Sequence, residues 1–192
     1  TAVEKGAELA VNTKGERCST RELVAARLSQ KLGVDETDAL IGIGAVLPHD
    51  DLLPFWNALS ELGACRLTLE ICVDLLQENP LTRYRLKTLG LEKVSQKAVA
   101  IWSVLDKVIT QSTSRVDRLR DLPVLLTIGG AWTSMKECYV TTSNLTAVQA
   151  DEALPKKDIC CIDQIKGYDK LLKYCVVLRL PEFVKELEHF ME

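Results

Sequence analysis

Leu91-Glu-Lys-Val-Ser-Gln-Lys-Ala-Val-Ala-Ile-Trp-Ser-Val-Leu-Asp-Lys-Val-Ile109 places apolar residues at 91, 94, 98, 101, 102, 105, 108 and 109. That recurrence is the spacing of one face of a long helix, with a single large aromatic, Trp102, midway along it. The stripe predicts that Trp102 belongs to a core rather than to a ligand platform. Working outward, Thr68 caps a helix rich in Leu69, Ile71, Cys72, Val73, Leu75 and Leu76, which Asn79-Pro80 ends. Apolar residues occupy most of its circumference, so it reads as central and buried. A short helix, Leu81 to Leu89, closes at Gly90.

Further upstream the signals are also helical. Ser19-Thr-Arg-Glu22 is a capping box and predicts a helix from Glu22 to Leu32, stopped by Gly33. Asp35 starts a second helix that runs to about Val46 before Pro48. Asp50 or Asp51 caps a third, with Pro54 in its first turn and Gly63 at its end. Downstream of Ser112-Thr-Ser-Arg115 the pattern is weaker. Val116 to Leu126 reads as a helix interrupted by Pro123, and Leu122 to Val140 as helix or hairpin. Asp158 to Ile165, Gly167 to Leu178 and Pro181 to Met191 read as helices.

The expected fold is therefore all-α: a compact bundle of short helices with a smaller, mostly helical C-terminal extension. The expected organisation is a flexible tail at 1–17, a helical bundle at 18–112 and a helical extension at 113–192 packed on it.

Composition narrows the function classes. The chain has 192 residues, 47% of them hydrophobic, a net charge of −3, and Lys and Arg spread rather than clustered. A strongly basic face for a phosphate backbone is not indicated, so nucleic acid is not the favoured partner. No apolar run approaches the ~20 residues that span a bilayer. Thr1 to Arg17 lacks the apolar region of a signal peptide. The seven cysteines, 18, 65, 72, 138, 160, 161 and 175, are irregularly spaced and read as reduced core thiols. An intracellular location, nuclear or cytoplasmic, is expected, where the sequon Asn144-Leu-Thr146 is silent.

No catalytic set emerges. Gly42-Ile-Gly44 lacks the third glycine and the preceding strand of a dinucleotide loop, and reads as a helix whose glycines admit a neighbour. His49-Asp50-Asp51 reads as a helix N-terminus, where acidic residues complement the dipole. With only His49 and His189 and no paired C-x2-C, neither a metal site nor a cofactor is expected. The densest basic run is Arg83, Arg85, Lys87, Lys93 and Lys97.

Ala58-Leu-Ser-Glu-Leu62, Leu67-Thr-Leu-Glu70, Arg83-Tyr-Arg-Leu-Lys87, Val94-Ser-Gln-Lys-Ala98 and Ile101-Trp-Ser-Val-Leu105 carry a resemblance. Together they resemble the N-terminal domain of transcription elongation factor TFIIS, also found in elongin A and in the integrase-binding domain of lens epithelium-derived growth factor. The resemblance covers roughly residues 20–112. Gln77-Glu-Asn-Pro-Leu81 departs from it, having no glycine where the family carries one. It implies a non-enzymatic scaffold that binds short acidic and hydrophobic peptide motifs, in transcription elongation or chromatin. Arg83, Arg85, Lys87 and Lys97 would then form a basic rim, and Leu86, Leu89 and Val94 a groove wall. Such an arrangement steers an acidic peptide onto a preformed apolar bed. The alternatives are a self-assembling adaptor or viral helical domain, and a nucleic-acid-binding domain.

Overall fold

The computed structural model describes residues 10–25, 32–84, 86–109, 116–141, 145–154, 157–160, 165 and 167–191, with residues 86 and 87 described by their backbone alone. Its axis is the long helix that the sequence announces. We number elements in chain order, and this helix, Leu91–Val108, is α5. Gly90 precedes it with φ of 81°, a left-handed conformation that glycine adopts without a Cβ penalty. Val94, Ala98, Ile101, Trp102, Leu105 and Val108 lie on its buried side. Trp102 is wholly enclosed, and its indole Nε1 donates to Val124 O at 2.7 Å. A buried indole N–H left without an acceptor costs ~1–3 kcal/mol, so this bond fixes what α5 packs against.

Against α5 pack α1 (Val34–Gly42), α3 (Leu69–Glu78) and α4 (Leu86–Leu89), while α2 (Trp56–Glu61) packs in a separate cluster. Thr68 caps α3 as expected, its hydroxyl accepting from Ile71 N at 3.4 Å. Further described helices are α6 (Val116–Asp121), α7 (Ala147–Ala153), α8 (Asp169–Leu172) and α9 (Leu180–Met191).

Among the described residues nine short strands run between these helices, and they correct the all-α expectation and the simple helical bundle that went with it. The described strands form four small sheets. β1 (Ala10–Val11) pairs antiparallel with β2 (Arg17–Cys18), a hairpin that overlaps the stretch 1–17 expected to be tail. β3 (Val24–Ala25) pairs in parallel with β4 (Cys65–Arg66). β5 (Pro123–Leu126) pairs antiparallel with β6 (Trp132–Ser134). β7 (Cys138–Thr141) is the centre of a parallel sheet ordered β8-β7-β9, with β8 at Asp158–Ile159 and β9 at Val176–Leu178.

The physical reason lies in short, continuous apolar runs. Leu23, Val24 and Ala25 are all buried, so they fit a strand enclosed on both faces as well as a helix. The capping box at Ser19 and Glu22 forms, yet it closes only a single 3-10 turn, Thr20–Glu22. The rest of the helix expected at Glu22 to Leu32 falls at 26–31, outside the described residues. The mostly helical C-terminal extension is likewise corrected. Parallel strands need crossovers, and α7 and α8 supply them between β7, β8 and β9.

One core cluster includes Val24, Leu40, Val73, Trp102, Leu125, Val140 and Leu171. It thus draws on residues from both sides of the 112 boundary. Trp56 belongs to a second, smaller cluster with Leu23, Ala25 and Leu59. Leu145, Ala150, Leu154, Ile159 and Leu178 form a third, against which Phe183 and Leu187 of α9 pack.

Candidate functional site

Pro80 ends α3 and starts a tight turn, Leu81–Arg83, pinned by fully buried Leu81. The next residue, Tyr84, is held at three points. Its hydroxyl donates to Gly42 O at 3.1 Å, at the end of α1. Its backbone carbonyl accepts from Trp132 Nε1 at 3.1 Å. Its hydroxyl also accepts from Arg83 Nη2 at 3.3 Å, while Arg83 Nη1 donates to Asn79 Oδ1 at 3.0 Å. Gly42 is required here, because a Cβ would stand 2.7 Å from the tyrosine hydroxyl. That accounts for the first glycine of Gly42-Ile-Gly44, and Asn79 lies equally close to the second.

The Tyr84 ring carries two cations. Arg83 Cζ and Lys97 Nζ each stand 5.1 Å from its centroid. Each contact is worth ~0.5–1 kcal/mol at a site of this exposure. Neither cation has a carboxylate partner among the described residues. The structure therefore brings together Arg83 and Lys97 of the expected rim. Arg85 lies outside the described residues, as do the side chains of Leu86 and Lys87. Leu89 is half-buried against the core. Val94 is fully enclosed in it and has no surface with which to line a groove.

A second polar cluster escaped sequence reasoning. Glu36, in the first turn of α1, is 9% exposed. Its carboxylate accepts from Lys107 Nζ at 2.5 and 2.7 Å, from Gly33 N at 2.8 Å and from the Ser103 hydroxyl. Burial alone would raise its pKa, but the Lys107, Ser103 and Gly33 hydrogen bonds outweigh burial and hold it below the ordinary value. Tyr168 stands near enough for Glu36 to help burial raise its own pKa. These groups lie along one side of a groove of about 970 Å³, with Val34, Asp35, Leu91, Glu92 and Val99 on its walls. The bonds to Glu36 span 67 and 71 positions of sequence, which no local pattern reveals.

The other candidates resolve into fold. His49 caps the 3-10 turn Asp50–Phe55, its Nδ1 accepting from Asp51 N at 3.4 Å. Burial pushes the Cys72 thiol up to about 12, opposite to what a nucleophilic thiolate needs. Cys175 is pushed up to about 12 by burial and by neighbouring Cys160. Among the described residues no group of three or more His, Cys, Asp and Glu is placed to hold a metal. No helix among them is long and apolar enough to cross a membrane.

Comparison with protein-family models, curated proteins and solved structures finds no match to this chain.

Proposed function

We propose that this chain is a non-catalytic protein-interaction module whose Arg83–Tyr84–Lys97 patch receives a short acidic motif from a partner protein. The observation that carries this reading is two cations held over one ring with no carboxylate of their own among the described residues. A partner carboxylate completes such an arrangement without breaking any contact the fold relies on. Pre-positioned cations also lower the cost of ordering long side chains on binding. The groove beside Glu36 does not suit the same ligand. Asp35 and Glu92 on its walls repel an acidic segment, and its lysine is already paired.

Titration with a peptide carrying Asp and Glu around a Phe or Leu anchor tests the proposal by calorimetry and by amide shifts. Binding weakens at least about tenfold in Arg83→Glu/Lys97→Glu, because close charge pairs commonly carry more than ~1.4 kcal/mol. Binding that is absent, or that the double reversal leaves unchanged, removes the assignment. Tighter, steeply salt-dependent binding of RNA or DNA at the same residues replaces it with nucleic-acid recognition.

A further inference from the structure

The groove beside Glu36 has no part in receiving an acidic motif, yet it has the dimensions of a ligand site. Its volume, about 970 Å³, lies at the upper end of small-molecule pockets, which run from ~300 to ~1,000 Å³. It follows α5 from Leu91 to Lys107, a rise of about 24 Å, so it suits an elongated occupant. Its apolar walls are Val34, Leu91, Val99 and Ala100. Val34 is 78% and Leu91 49% exposed, so the fold leaves apolar surface at this groove in water.

Two hydroxyls in the groove have no partner. Ser95 is only 7% exposed, yet its hydroxyl makes no hydrogen bond among the described residues. A helical serine often bonds the carbonyl four residues back, and Ser95 does not. Tyr168 is half-buried, and its hydroxyl also lacks a hydrogen bond among the described residues. Burial raises its pKa, and the charges of Glu36 and Asp106 add to the rise. Enclosed polar groups ordinarily find partners, so hydroxyls lining a groove without one are placed to meet a ligand.

The charges on the walls select against ions of either sign. Asp35, Glu36 and Glu92 repel an anion. Lys107 repels a cation. Asp35 and Glu92 stand in the first turns of α1 and α5, where the positive ends of the helix dipoles offset their pull on a cation. Glu36 is spent on Lys107, Ser103 and Gly33. The groups left to recognise a ligand are the neutral hydroxyls.

We infer that this groove binds an uncharged, elongated apolar small molecule bearing a hydroxyl or carbonyl oxygen. The Ser95 hydroxyl bonds that oxygen, and the hydrocarbon body lies on Val34, Leu91 and Val99. The site is separate from the Arg83–Tyr84–Lys97 patch and stands whether or not that patch takes an acidic motif.

Octanol, octanoate and octylammonium share one tail and differ in the head, and titrating each into the full chain with amide shifts as the readout tests the inference. Octanol saturates a single site, moves the amides of Ser95, Val99 and Ser103, and binds at least about threefold more tightly than either ion, because an ion entering the groove loses hydration without a counter-charge. Ser95→Ala keeps its far-ultraviolet circular dichroism and loses about threefold in octanol affinity, the scale of one hydrogen bond. Val34→Asp, at a position that is 78% exposed, leaves the urea midpoint unchanged and also weakens octanol. Octanol that moves none of these amides up to its solubility limit, or binding that Val34→Asp leaves intact, overturns the site. An ion that binds as tightly as octanol, or an octanol affinity that Ser95→Ala does not change, overturns the recognition of a neutral oxygen.

Discussion

Lys107 and Lys97 stand on the same helix and meet opposite fates. Lys107 reaches Glu36 with both carboxylate oxygens within 2.7 Å, and the pair is largely withdrawn from water. Lys97 rests on the Tyr84 ring, with no carboxylate paired to it among the described residues. The first lysine is neutralised by its own chain and serves the join between α1 and α5. The second is the cation that the proposed acidic partner would meet. The difference teaches that a basic residue points to a partner only after its internal counter-charges have been found.

The largest expected effect comes from breaking the neutralised pair. Lys107→Met leaves the Glu36 carboxylate enclosed without its cation and lowers stability by about 3 kcal/mol, read from urea unfolding. Pairing it with Glu36→Gln recovers much of that loss, since no buried charge is then left alone. If Lys107→Met costs no more than Lys97→Met, the contrast between the two lysines disappears.

The pH dependence sharpens the same contrast. Glu36 has a folded pKa below the ordinary 4.5, so the unfolded chain takes up the proton first as pH falls. Its stabilisation is complete well above pH 4.5 and drains away as pH drops through that value toward the folded pKa. The stability gap between wild type and Lys107→Met therefore narrows on acidification. A gap that widens toward low pH contradicts the assignment.

A smaller effect is expected at the other cluster. Tyr84→Phe keeps the ring under both cations but removes the hydroxyl that bridges Arg83 and Gly42. It costs about 1 kcal/mol in urea unfolding and leaves acidic-peptide affinity within twofold of wild type. The smallest effect is Lys97→Met, at or below ~0.5 kcal/mol in stability, because an exposed cation–π contact contributes little. A larger loss there would place Lys97 among the fold-supporting residues.

Legibility in the sequence followed physical range. α3 and α5 stand where Thr68, Asn79-Pro80 and the apolar stripe of 91–109 put them, because caps and helical periodicity are local signals. The strands at Val24–Ala25 and Val176–Leu178 fall in stretches whose sequence reads as helix, since a buried apolar run of two or three residues has no period of its own. Their identity depends on partners at Cys65–Arg66 and Tyr139–Thr141. The same holds for the sites. The basic run drew attention to Arg83 and Lys97, but Tyr84, which organises both, gains its meaning only from Gly42 and Trp132. Val94 shows the converse. An apolar position on a helix stripe does not announce whether a core or a groove lies beyond it, and here it is the core.

The hydrogen bond from Trp102 Nε1 to Val124 O has one more consequence. It joins the most helical part of the chain to its first C-terminal strand, inside a cluster that both share. Heat or urea cannot then loosen one half while the other stays sealed, because either retreat strands an indole N–H and opens the shared interior. The two halves should melt as one cooperative unit, with a single transition in which tryptophan fluorescence and backbone dichroism change together.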